Sequence, residues 1–352
     1  MYKLHSETSE IDGVFRFQID FPTSYGLRFV CMYLFKTEDA YILIDAGLNF
    51  ADWEKSFFSE LEKLKISIED VDYLIVTHEH PDHLGLMNSL KRKNPNIQIL
   101  MHELTQESMN SMINTENISE RQKSGKELSQ QMIKYGVNQK QGERMMKFLT
   151  AMQSFTKYQK PDKTLRDNEE IIIGNNKLKT IWTPGHSLGH ICIFNENTSH
   201  LFAGDHILSR ITPHIGSYMV PADISESYQS YDFNNVLKYY LESLDRIDAL
   251  NPKIIFPAHQ EVIYDSHKRI LEMKEHHRTR LSEISRLIEN KPMTPFKISQ
   301  IHFGDDLDEI NTYLGLGEAL SHLIYLEKQN KVKRIEKNNK IYFIKTRDLI
   351  IK

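Results

Sequence analysis

The chain has 352 residues, a length that suits two domains better than one ordinary core. Hydrophobic residues make up 40% and charged residues 26%, which excludes a disordered chain. The net charge of −4 excludes a globally basic nucleic-acid binder, and two cysteines, Cys31 and Cys192, exclude a disulfide scaffold or a Cys-rich zinc module.

The N-terminal segment MYKLHSETSEIDGVFRF has neither an apolar core nor a small-residue cleavage site, so a cytoplasmic protein is expected. No apolar run is long enough to span a membrane. Short β-branched and aromatic runs predict strands at 13–19, 29–35, 41–44, 73–76, 97–101, 170–173, 178–182, 191–194, 201–203 and 253–256. Helical spacing is expected over 53–64 and 233–250. Residues 104–160 lack proline and strand-like runs and hold six of the 13 methionines. They read as an insertion of two or three helices, broken near Gly125, Gly136 and Gly142. From Lys268 a helix runs to Asn290, and a second covers 316–329. The segment VKRIEKNNKIYFIK then reads as a hairpin turning at Lys-Asn-Asn-Lys. Helices followed by a basic hairpin suggest a small winged-helix domain. The expected division is 1–267 for the first domain and 268–352 for the second.

Sixteen histidines against two cysteines direct any transition metal to nitrogen and oxygen ligands. The densest cluster is LIVTHEHPDHLG. An apolar strand ends at Thr77, and His78, His80, Asp82 and His83 follow within six residues. Side chains two apart in extended chain share a face, so His78 and His80 can serve one cation. Asp82 and His83 can diverge toward a neighbouring one. Pro81 favours a helix start, and Gly85 permits close backbone approach. Three later segments also place a ligand type just past a strand: LKTIWTPGH with His186, SHLFAGD with Asp205 and KIIFPAH with His259.

These residues resemble the metallo-β-lactamase superfamily of metallohydrolases over about residues 12–265. The resemblance implies an α+β fold, an αββα sandwich with a binuclear site at one edge. It implies that His78, His80 and His186 hold one metal, that Asp82, His83 and His259 hold the second, and that Asp205 bridges them. Two divalent cations about 3.5–4 Å apart lower the pKa of a shared water to near 7. The expected reaction is attack of a metal-bound hydroxide on an ester, thioester or lactone carbonyl. Zinc is the first choice of metal, and iron or manganese also suits the donors. Asp82, Asp205 and His190 are the candidate catalytic residues, His190 as a pocket residue or a structural one. The resemblance also places Asp45 beneath the metals, where it would accept a ring N–H from a histidine ligand; an ordinary turn aspartate is the alternative. His206 and His214 are weaker pocket candidates, and His276 and His277 are expected on the surface.

The segments TPFKIS and GLGEALSHLIYLEKQNKV are similar to the C-terminal winged-helix domain of a glyoxalase-II-like subgroup that includes ribonucleases. From Lys328 to Lys352 nine basic residues face only Glu336 and Asp348. A phosphodiesterase or endoribonuclease that grips RNA with this tail is therefore the alternative function, and a solvated basic face is the plain reading. A non-enzymatic binding module on an inactive hydrolase fold is the third class, opposed by the intact ligand set. An antibiotic-degrading lactamase would carry a secretion signal. A flavodiiron protein would carry Glu at position 80 and a flavin domain. Phe148, Phe155 and Tyr158 with the methionines suggest an apolar lid, against a small helical core packed on the sandwich. Either the insertion or the tail offers a face for a homodimer.

Overall fold

The computed structural model describes residues 4–21, 28–50, 52–114, 118–153, 159–216 and 224–346, without the side chains of 112–114, 118–125 and 148–153. It divides into two compact units. The first comprises Met1–Ser111, Phe155–Pro213 and Ser243–Leu271, and the second Met112–Ser154, His214–Glu242 and Glu272–Lys352.

Two sheets build the first unit. One orders β1 (Ser6–Ile11), β2 (Val14–Asp20), β3 (Phe29–Lys36), β4 (Tyr41–Ile44), β5 (Val71–Val76), β6 (Gln98–His102) and β7 (Lys163–Leu165) side by side. It is antiparallel through β4 and parallel from β4 to β7. The other orders β12 (Ile254–Pro257), β11 (His200–Gly204), β10 (Ile191–Asn195), β9 (Asn176–Trp182) and β8 (Glu170–Ile173), with only β11 and β12 parallel. Aromatic side chains join the sheets. Phe35 of β3 stacks on Phe202 of β11 at 5.0 Å, and Tyr33 meets Phe256 of β12 edge-on at 5.2 Å. The Tyr33 hydroxyl donates to the Pro257 carbonyl. The result is a mixed α+β fold of the expected class.

Helix α1 (Trp53–Lys63) buries Trp53, Phe57 and Leu61, with Phe57 edge-on to Phe17 of β2 at 5.2 Å. Its buried Glu60 accepts from Ser6 and Thr8 of β1, each at 2.8 Å. That polar docking explains why β1, with the sequence SETSEI, carries no apolar signal. Strand β7 is likewise unannounced, being three residues paired along β6. Three further helices follow in chain order: α2 (Pro81–Leu84), α3 (Met87–Lys93) and α4 (Glu103–Asn114).

In the second unit, α5 (Ile118–Lys134) and α6 (Gln139–Gln153) are joined through Gly136, whose φ of 109° suits glycine. Only this glycine breaks the insertion; Gly125 and Gly142 lie inside α5 and α6. Gly142 allows the two helices to approach, because a Cβ there would stand 3.3 Å from Ser129 Oγ. Helices α7 (Val236–Leu250) and α8 (Ser266–Leu287) each contribute residues to both units, and α9 (Pro295–Phe303) and α10 (Glu309–Lys328) follow. Met132, Val137 and Met145 of the insertion pack on Leu316, Leu320 and Ile324 of α10. The insertion's helical core is therefore shared with the C-terminal helices, and the unit boundaries differ from a division at 267/268. Phe155 and Tyr158 of the suggested lid lie outside the described residues, as does the side chain of Phe148.

Helix α9 starts with Thr294 accepting from Lys297 N and Pro295 in the first turn. Strands β13 (Val332–Lys337) and β14 (Lys340–Lys345) form the expected hairpin. Asn338 and Asn339 hold φ of 52° and 56°, the left-handed pair of a tight two-residue turn. Phe343 and Val332 pack with Ile284, Ile298 and Leu323. Among the described residues no helix is long and apolar enough to cross a membrane.

Candidate metal centre

Five strand ends of the first unit supply the site. Beyond β4 comes Asp45, beyond β5 His78 to His83, beyond β9 His186, beyond β11 Asp205 and beyond β12 His259. The ends of rigid paired strands fix loop positions better than free loops could. His80 precedes α2, with Pro81 at its first position. Gly85 closes that turn against the Asp45 loop. A Cβ there would lie 2.3 Å from Asn49 N and 2.6 Å from Gly47 O, so only hydrogen fits.

The donors form two groups. One ligand atom from each of His78, His80, His186 and Asp205 lies within 4.8 Å of the others, and the same holds for Asp82, His83 and His259. In the first group His80 Nδ1 stands 2.9 Å from both His78 Nε2 and His186 Nε2. Asp205 reaches both groups. Its Oδ2 lies 3.3 Å from His186 Nε2, and its Oδ1 lies 3.3 Å from His259 Nε2 and 3.5 Å from His83 Nε2.

The free nitrogens are selected by what the other ring atoms do. His83 Nδ1–H donates to Asp45 Oδ2 at 2.8 Å, leaving Nε2 to face the cluster. His78 Nδ1–H donates to Thr77 Oγ1 at 3.0 Å, and the Thr77 hydroxyl donates onward to Asp45 Oδ2. His259 Nδ1–H donates to the Phe29 carbonyl at 2.9 Å. Asp45 adopts φ of 64°, a conformation Asp tolerates better than bulky residues, and it also accepts from Thr77 N. Thr77 and Phe29 O are supports that the sequence did not signal. Thr77 was visible only as the residue before His78, and a carbonyl has no sequence signature. Glu79 is another, since Ser187 Oγ donates to its Oε2 at 2.9 Å and ties the His186 loop to the first cluster.

His190 departs from the role of a reacting group. It is fully buried, Asp205 N donates to its Nε2 at 3.1 Å, and its Nδ1–H donates to Thr183 Oγ1 at 2.8 Å. Both nitrogens are occupied inside the protein, so the ring positions the Asp205 backbone. Gly204 makes room for it. A Cβ there would fall 2.7 Å from His190 Nε2 and 2.8 Å from Thr77 Oγ1, at φ of 49°. His206 is buried, its ring 5.9 Å from that of His190. His214 belongs to the second unit, where a Cβ at Gly317 would stand 3.1 Å from its Cε1.

The protonation pattern is that of a set built for positive charge. Burial opposes a charge on His83, yet Asp45, Asp82 and Asp205 outweigh it and hold its pKa well above normal. Burial likewise opposes His259, but Asp205 and Asp82 lift it to about 10. Against the pull of burial, His259 and His83 keep Asp205 well below the usual carboxylate range, and His83 leads in keeping Asp82 at about 2. Burial, followed by neighbouring imidazoles, drives His78 well down, and burial puts His80 at about 3. His83 Nε2, His259 Nε2 and Asp205 Oδ1 are buried without a hydrogen-bond partner among the described residues. Orphaned buried polar atoms are costly, and divalent cations would satisfy all three. The donor set therefore fits two N/O-ligated metals.

A two-sheet α+β fold with a twinned His/Asp donor set at its strand ends defines a metallohydrolase class. The family profile described as the metallo-beta-lactamase superfamily matches residues 25–259, and the chain belongs to that superfamily. The profile for the metallo-beta-lactamase-like C-terminal domain matches residues 281–346. A curated relative, "Probable metallo-hydrolase YqjP" of Bacillus subtilis (strain 168), is 26% identical over 323 residues, covering 92% of this chain and 95% of that protein. The crystal structure of metallo-beta-lactamase family protein TTHA1429 from Thermus thermophilus aligns with a TM-score of 0.77 at 24% identity, over 96% of this chain and 99% of that one. A beta-lactamase domain protein from Burkholderia ambifaria gives 0.77 at 22% identity, over 97% and 94%. These two structures speak to the fold. The chain is a metallohydrolase of this superfamily.

Proposed function

We propose that the chain is a binuclear hydrolase of a small ester, thioester or lactone, with zinc as its metal and iron or manganese as alternatives that the donors accept. The observation that carries this reading is Asp205, whose two carboxylate oxygens face the two donor groups separately. His78, His80 and His186 would hold one cation, Asp82, His83 and His259 the other, and Asp205 both. When bound, such a pair supplies Lewis acidity for a carbonyl or phosphoryl oxygen and makes water ionisable near neutral pH.

The chain's own residues do the rest. Asp45 and Thr77 engage the Nδ1 atoms of His83 and His78, so each Nε2 is the atom turned toward the centre. His190 and Gly204 hold the Asp205 backbone in place. His78, His83 and His259 are each no more than 1% exposed, so solvent does not compete for these donors. No Ser or Cys nucleophile is required. Cys31 and Cys192 are buried, and burial pushes their thiols to about 11 and about 12.

The order α9, α10, β13, β14 supports assigning the C-terminal segment to the winged-helix domain of the glyoxalase-II-like subgroup. A phosphodiester substrate is the second reading, favoured by the exposed Lys333, Lys337 and Lys340. It is weakened by Arg334 and Lys345, which pair with Glu327 at 2.9 Å and Glu289 at 2.8 Å. The test is one panel of a thioester, a lactone, a phosphodiester and single-stranded RNA, assayed with zinc-loaded protein. Turnover of a carbonyl substrate that disappears in His80→Ala is expected. Hydrolysis of RNA alone would transfer the assignment to the second reading, and wild-type turnover by His80→Ala would remove the site from the chemistry.

A further inference from the structure

The second unit contains a buried histidine pair that the sandwich centre does not use. His277 of α8, expected on the surface because its helix is charged, is fully buried, as is His322 of α10. Glu318 lies one helical turn before His322, with its side chain 12% exposed. One ligand atom from each of the three lies within 4.8 Å of the others.

Protons alone do not satisfy this group. His322 Nδ1–H donates to the Glu318 carbonyl at 2.8 Å, so His322 Nε2 presents its lone pair. That lone pair faces His277 Nδ1 at 3.1 Å. His277 Nε2 has no hydrogen-bond partner among the described residues. With its proton on Nδ1, His277 leaves a buried acceptor without a donor. With its proton on Nε2, it leaves a buried donor unmet and sets two lone pairs against each other. A doubly protonated ring would still leave the buried Nε2–H unmet. The carboxylate is buried beside the rings. Glu318 Oε2 accepts a backbone N–H from Ile215 at 3.2 Å, its Oε1 lies 3.6 Å from His322 Nδ1, and burial lifts its pKa to about 7. Arg280, whose charge works against that rise, lies 3.6 Å from Glu283 and over the ring of Phe303.

A cation between the rings turns the opposed lone pairs of the Nε2-protonated form into two bonds, leaving the His277 Nε2–H as the one unmet donor, and the Glu318 carboxylate stands in the same cluster. Two nitrogens bound to one tetrahedral zinc at about 2.0–2.1 Å stand about 3.3 Å apart, close to the 3.1 Å between His277 and His322. We infer that His277, Glu318 and His322 form a further metal site, independent of the sandwich centre, that takes a divalent first-row transition ion and ties α8 to α10. The donors are two imidazoles and a carboxylate, a set that suits zinc and, among neighbouring ions, cobalt, nickel or iron(II).

The experiment uses the full chain, loaded with zinc and freed of loosely held metal. Zinc-edge anomalous diffraction should show a peak between His277 and His322 in addition to those of the sandwich centre. Elemental analysis should find one equivalent fewer in Glu318→Gln and in His277→Gln than in wild type, with hydrolysis by the sandwich centre unchanged. Density at the sandwich centre with no peak at His277 overturns the inference, as does equal zinc content in wild type and both variants. The diffraction result stands even if a variant fails to fold, and it is scored separately from the occupancy of the sandwich centre.

Discussion

The two buried histidine clusters are assembled by different means. In the sandwich, ligand types stand on loops just past β5, β9, β11 and β12, and the unused nitrogens of His78, His83 and His259 are taken by Thr77, Asp45 and the Phe29 carbonyl. In the second unit the donors stand on the faces of α8 and α10, and only His322 has its far nitrogen occupied, by Glu318 O. Strand ends support a dense set, three of whose rings are held from behind, with a carboxylate at its middle. Helix faces bring together fewer donors and leave one ring half satisfied. A reactive centre needs the former, because catalytic geometry depends on supports behind each ligand.

The comparison can be broken most forcefully at Asp205. Asp205→Ala removes the group common to both donor sets, and several kcal/mol of lost stabilisation lowers turnover by about 10³-fold or more. Elemental analysis should show the metal content of the sandwich falling with it. Asp45→Asn acts one layer back, on the tautomer of His83. Zinc affinity should fall by about 10–100-fold, measured by competition with a chromophoric chelator. An unchanged affinity would mean that the support behind His83 is dispensable. Gly204→Ala tests close packing, since the added methyl must displace His190 or Thr77. A loss of about 1–3 kcal/mol is expected in denaturant unfolding. The smallest effect is expected far from the ligands. Replacing Lys333, Lys337 and Lys340 by Gln should leave hydrolysis of a carbonyl substrate unaltered. A flatter salt dependence of RNA binding together with lost RNA cleavage would favour the phosphodiester reading.

Legibility in the sequence followed the same divide. Strands β2 to β6 and β8 to β12 announce themselves because each is a β-branched or aromatic run closed by polar residues. The seven donors that the structure brings together could be marked because each lies in the loop or turn that follows such a run. Strand β1 was invisible because Ser6 and Thr8 dock by hydrogen bonds to Glu60, with no apolar alternation to detect. Gly125 and Gly142 read as breaks, yet they are helical, and a glycine that allows two helices to approach looks the same in sequence as one that ends a helix. His190 was legible as a site residue, either lining the pocket or structural, and the backbone N–H from Asp205 that favours the second has no sequence signature. His277 was hidden by the charged residues around it. Its burial depends on α10, more than 30 residues further along the chain, and no local pattern encodes that partner.

The most direct test of the central claim is turnover by metal-stripped protein as zinc is returned, with wild type and Asp205→Ala run side by side on the best substrate of the panel. The account predicts no turnover without metal, recovery to a plateau in wild type, and a flat response in Asp205→Ala. Full turnover in the presence of chelator, or recovery of Asp205→Ala to the wild-type plateau, would contradict it.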